Sequence, residues 1–191
     1  MTDPPDAPPE LEPALAELRQ RLEADLAELL AAVAGLSQDQ ADWRPAPERW
    51  SAGEVLHHLV LSNRLFALVV RRLAARGARE GLTAAPGARR SWPRMRSIAD
   101  ARLSGPVRNP ERVTPSRAVP IGALREELAA SHAAVVAEVP SLAGLDLAAL
   151  TATHPLGFDL NLYQWADITG AHERRHLAQI QAVLAEPGFP R

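Results

Sequence analysis

An all-α fold, a four-helix bundle with long crossover loops, is what this sequence predicts, and three observations predict it. Apolar residues recur at steps of three and four over stretches too long for strands. Valine, isoleucine and threonine are scattered and never alternate with polar residues, so no convincing strand emerges. Helix-start and helix-stop signals fall where the periodic stretches begin and end. The 191 residues suit one domain, with 1–10 as a disordered lead-in and 11–191 as the bundle.

The opening MTDPPDAPPE is acidic and proline-rich, the opposite of a secretory signal. A first helix is expected over about residues 13 to 34, with Leu15, Leu18, Leu22, Leu26, Leu29 and Val33 on one face and Gly35 just beyond it. A proline-interrupted segment follows. It ends in Ser51 and Glu54, the S-x-x-E of a capping box, with Trp50 placed to staple onto Val55. The second helix then continues to about Arg76.

From 78 to 120, Pro, Gly and Arg recur without an apolar period, with room for a short helix near Ile98 to Leu103. Connections of that length are more often functional than idle. A third helix spans about 122 to 139 and ends before Pro140. A second loop, about 141 to 160, leads to Asn161, whose N-x-x-Q with Gln164 again resembles a capping box. The fourth helix runs from Leu162 to about Leu184 and is stopped by Pro187 and Gly188.

Composition removes several function classes. With no cysteine there are no disulfides, thiolate metal sites or cysteine nucleophiles. The longest apolar run, around Leu65 to Val70, is far too short to span a bilayer, so a cytoplasmic protein without a membrane partner is expected. Net charge is −2, which gives no global footprint of nucleic-acid binding. The charges are nonetheless segregated. Residues 1–28 hold eight acids against Arg19 and Arg21, whereas 71–117 hold twelve arginines against Glu80, Asp100 and Glu111. Two readings stand: a solvated loop that pairs with acidic surfaces, or a collar that attracts an anionic ligand.

His172, Glu173 and His176 spell H-E-x-x-H, the zinc-protease spacing. A protease is nevertheless the wrong reading. No histidine follows His176, and no sheet edge is expected for substrate to align on. On the fourth helix Leu162, Trp165, Ile168, His172, His176, Gln179 and Val183 recur at steps of three and four. Both histidines therefore lie on the apolar stripe, their Cβ atoms about 5–6 Å apart, which suits two ligands of one metal.

The second helix offers His57 or His58 as a third ligand. His57 shares its face with Arg64 and Arg71, whereas His58 shares its face with Leu61, Leu65 and Leu68. Helical phase selects His58. Glu54, one turn earlier, either reaches the same pocket to hold an imidazole by its second nitrogen or serves only the capping box. Glu54 and Glu173 are the candidate proton acceptors, although Glu173 stands about 100° around the helix from His172. His132 is a weaker candidate. His154, in THPLGFD, reads first as a loop-ordering hydrogen-bond partner and second as a fourth ligand or substrate contact.

Taken together, these pieces resemble the DinB-like superfamily, the damage-inducible helical bundles that include the YfiT-type proteins. WRPAPERWSAGEVLHHL, HPLGFDLNLYQW and HERRHLAQI carry the resemblance, in that order, and it runs from about Leu11 to the end. It implies a bundle with long crossovers and a divalent metal held by three histidines, at positions that fall on His58, His172 and His176. It also implies a homodimer acting on a small molecule. Some members resemble thiol transferases that use bacillithiol or mycothiol, and others are described as metal-dependent hydrolases. The arginine- and proline-rich 78–120 connection departs from the family pattern.

The expected function is therefore that of a metal-dependent enzyme, a hydrolase or thiol S-transferase, on an anionic or thiol-bearing substrate. Zinc is the first choice of ion, with nickel, manganese or iron as alternatives. The competing expectation is a non-catalytic metal- or ligand-binding bundle of the stress response.

Overall fold

The computed structural model describes residues 11–95 and 110–191. The expected lead-in and the short helix expected near Ile98 to Leu103 lie outside the described residues. Among the described residues there are five α-helices: α1 Pro13–Val33, α2 Gln38–Asp42, α3 Ala52–Glu80, α4 Ile121–Val136 and α5 Leu162–Leu184. Both expected capping boxes are formed. Ser51 and Glu54 close the start of α3, and Asn161 and Gln164 close the start of α5. A third, Ser37 with Gln40, starts the unexpected one-turn helix α2. α3 runs past Arg76 to Glu80, where Gly81 at φ 66° supplies the left-handed cap.

Two short strands correct the expectation of none. β1 Thr151–Thr153 pairs antiparallel with β2 Asp159–Asn161 in the loop before α5. At three residues each they are too short to show an alternating pattern. The fold remains all-α. Among the described residues no helix is long and apolar enough to cross a membrane.

α3 packs against α4 and α5, and α1 packs against α5 and α4, which places α1 and α3 on opposite corners. The core falls into two apolar clusters along the bundle axis. One gathers Leu15, Leu18, Leu22, Phe66, Val70, Val135, Trp165 and Ile168; the other gathers Leu29, Val33, Val55, Leu59, Leu124, Leu128, Leu177 and Ile180. The order in which each helix visits the clusters gives its direction. α1 and α5 run one way, and α3 and α4 run the other.

α3 and α4 are thus parallel neighbours. The chain between them must return along a helix of 29 residues, about 44 Å at 1.5 Å per residue. That return is why the connection is long. Part of it is tied down by charge. Arg90 forks onto both oxygens of Glu12 at 2.9 and 2.7 Å, and Arg94 reaches Asp25 at 2.6 Å. Here the arginines pair with acids of the α1 region, the first of the two readings of the charge segregation.

Between the two apolar clusters lies a polar layer of His58, Ser62, Asn63, Ser131, His132, Thr169, His172, Glu173 and His176, all buried. It corrects one detail of the helical-phase argument. Leu61 and Leu65 are only half-buried and Leu68 is 39% exposed, so the inward face of α3 centres on Leu59, Asn63, Phe66 and Val70. On α1, similarly, Asp25 is buried where Leu26 is half-buried, because Arg94 and Arg174 close over its carboxylate.

Candidate metal centre

His58 comes from α3, and His172 and His176 from α5, one turn apart. Their Nε2 atoms converge. Nε2 of His172 lies 3.2 Å from that of His58 and 3.1 Å from that of His176. One ligand atom from each residue falls within 4.8 Å of the others. Nitrogens bound about 2.1 Å from one ion lie roughly 3.0–3.4 Å apart, so the two shorter edges fit a shared cation.

The opposite ring nitrogens say which atoms are free. Nδ1–H of His58 donates to the Val113 carbonyl at 2.7 Å, and Nδ1–H of His176 donates to Gln179 Oε1 at 2.8 Å. Each bond places the proton on Nδ1 and leaves a bare lone pair on Nε2. Both lone pairs face Nε2 of His172, whose buried Nδ1 has no partner among the described residues. A single N–H on His172 would satisfy only one of them, whereas a cation among the three satisfies all. The donor set fits a metal.

Burial disfavours the protonated rings and holds the trio neutral, the form that ligates. It pushes His176 down to about 3, His172 well below the ordinary imidazole value, and His58 below it also. The neighbouring imidazoles and the Arg175 guanidinium add to the effect on His172 and His176, and Arg175 adds to it on His58. Trp50 lies 5.1 Å from the His58 ring and Phe66 lies 5.6 Å from His172, so apolar walls flank the nitrogens.

The two carboxyl groups take other partners. Glu54 does not hold the second nitrogen of His58; the Val113 carbonyl does. Its position at the third residue of α3 turns it back to the Ser51 N–H at 2.9 Å, and Arg44 clasps its two oxygens at 2.7 and 2.6 Å. Burial would raise its pKa, but the Arg44 and Ser51 hydrogen bonds outweigh burial and hold it below the usual value. Glu173, with no exposed surface, accepts from Asn63 and His132.

Of the remaining histidines, His154 shows the loop-ordering role. Its Nδ1 accepts from the Leu156 N–H at 3.2 Å, its backbone N–H donates to the Phe158 carbonyl at 2.7 Å, and its ring stacks on Phe158. Burial lowers it to about 4. His57 is half-buried and accepts from the Ser116 N–H. Sequence reasoning missed three participants. Val113 acts through its backbone and carries no side-chain signal. Gln179 was on the inward stripe, three residues after His176, without its grip on the ring being readable. Asn63 became visible only once α3, α4 and α5 were assembled, which also brings His132, the weaker candidate of the sequence, onto Glu173.

Fold and site together define a class of protein: a crossover four-helix bundle whose polar middle layer brings three histidines to one point. The chain belongs to the DinB superfamily, whose family model matches residues 21–180. Among curated proteins it is similar to the uncharacterized protein YuaE of Bacillus subtilis (strain 168). The two are 28% identical over 156 residues, 78% of this chain and 86% of YuaE. No solved structure matches at a significant level.

Proposed function

We propose that this protein is a metal-dependent enzyme acting on a small molecule, by hydrolysis or thiol S-transfer, with one divalent ion held by His58, His172 and His176. The observation that carries this reading is the meeting of three Nε2 atoms at 3.1 and 3.2 Å, two of them with the proton fixed on the far nitrogen. Three protein ligands leave coordination positions open, the pattern of catalytic rather than structural zinc. When bound, the ion supplies Lewis acidity that lowers the pKa of a water or a thiol. Zinc is the first choice on this donor set, and nickel, manganese and iron also accept imidazole.

The chain supplies orientation and field. The Val113 carbonyl and Gln179 fix the tautomer and ring plane of two ligands. Trp50 and Phe66 keep their surroundings apolar. Arg175, exposed on the turn between His172 and His176, adds positive charge beside the histidines, which favours an anionic substrate or a thiol bound as thiolate. A homodimer belongs to the same proposal and is read from the mass of the protein in solution.

The test is elemental analysis of tag-free protein beside His58→Ala and His172→Ala, with thermal melts before and after chelation. About one equivalent of metal in the parent, lost in both variants with folding retained, is the expected result. Metal whose removal collapses the melting temperature assigns a structural site instead. No metal under any loading condition overturns the reading.

A further inference from the structure

The polar layer holds a second cluster that the three histidines do not use. Oε1 of Glu173 accepts from Asn63 Nδ2 at 2.8 Å and from His132 Nδ1 at 2.9 Å, and Oε2 lies 3.1 Å from the same His132 nitrogen. The three residues come from α5, α3 and α4, and their exposures are 0%, 0% and 1% respectively. Asn63 Oδ1, His132 Nε2 and the nearby Thr169 Oγ1 are buried without a partner among the described residues.

Such a cluster is a poor source of stability. Burying polar groups costs free energy, and buried charged networks are often replaced by apolar residues without loss. What hydrogen bonds add is direction. An apolar contact is non-directional and tolerates small rotations and slides of one helix on another; two bonds of fixed length on one carboxyl oxygen do not. Two of the three helices so fixed carry the ligands. His58 is on α3, and His172 is the residue next to Glu173 on α5.

We propose that Glu173 is a positioning residue: with Asn63 and His132 it locks the rotation and height of α5 on α3 and α4, so that His172 and His176 meet His58. This rests on the three-histidine reading, and it replaces the proton-accepting role expected from the H-E-x-x-H spelling. Both hydrogen bonds converge on Oε1, and that makes the two roles separable. Glu173→Gln keeps an oxygen there and removes the carboxyl group, so it gives up only the longer Oε2 contact to His132, keeps the two shorter bonds of the lock and destroys a base.

Cobalt(II) is the probe, its binding followed by competition with a chelator and its coordination by the ligand-field spectrum, with a melt for each variant. Glu173→Gln is expected to keep the parent's spectrum and nearly its affinity. Glu173→Leu combined with His132→Leu is expected to stay folded, change the spectrum and weaken binding about 10- to 100-fold. A parent-like double variant overturns the proposal, and so does a Gln variant that loses as much as the double variant. If the double variant does not fold, Asn63→Ala decides: a loss of about tenfold supports the lock and parent-like binding overturns it. Absence of cobalt from the parent itself marks failure of the three-histidine reading, and the lock then falls with it.

Discussion

His176 is gripped from behind. Gln179, one turn later, accepts its Nδ1–H at 2.8 Å, and this bond determines that the lone pair on Nε2 faces His172. Outer partners of metal-bound imidazoles typically account for 10–100-fold in affinity. Gln179→Ala, at a half-buried helix position, is therefore expected to leave the fold intact and weaken metal binding about tenfold. Gln179→Glu retains an acceptor and should bind at least as well as the parent; competition titration against a chromogenic chelator checks both. Helical phase turns His58 rather than His57 toward the core, as their burial bears out, but through the wrong neighbours, since Leu68 is exposed and the inward face contains Asn63 and Phe66. α3 carries so many apolar residues that the sequence alone defines its stripe only loosely. The hold on His58 by a backbone carbonyl has no residue-type signature at all.

Long helices with capping boxes were readable, and short elements were not. α5 matches its expected bounds because Asn161 with Gln164 marks one end and the period holds up to the Pro187 stop. α2 has five residues and each strand three, less than the window over which a period can be told. Close approach of a loop to a helix is equally invisible beforehand, and Gly77 is the example. A Cβ there would stand 2.6 Å from Leu150 Cδ1 and 3.3 Å from Leu145 Cδ2, inside the core that joins α3 to the segment before β1. Alanine would gain about 1 kcal/mol of helix propensity over glycine. The steric conflict costs about 1–3 kcal/mol, because the two leucines are themselves buried and have nowhere to turn. Gly77→Ala is expected to lower the urea midpoint at unchanged slope; a raised midpoint would show that the leucines repack freely.

The parallel pairing of α3 with α4 requires the long return between them, and the polar layer requires that two apolar clusters carry the stability of the whole. That division has a pH consequence. Four buried histidines have their pKa values pushed down by loss of solvation: His154 to about 4, His176 to about 3, His58 below the ordinary value and His172 well below it. The unfolded chain protonates the same side chains near pH ~6.5. Between that value and the folded-state values the unfolded state binds more protons, so metal-free stability is fully present above about pH 6.5 and drains away as the pH falls. Each histidine contributes up to about 1.4 kcal/mol per pH unit in that window. The melting temperature of the metal-free protein is therefore expected to drop steeply from pH 7 to 5, whereas from pH 8 to 7 these histidines leave it unchanged. Replacing His154 by Phe removes one of the four titrations while keeping an aromatic ring against Phe158 and Trp165, so its melting curve should fall less steeply with acid. Calorimetry at four pH values decides the matter: equal slopes for parent and variant would mean that His154 does not stay neutral in the folded protein.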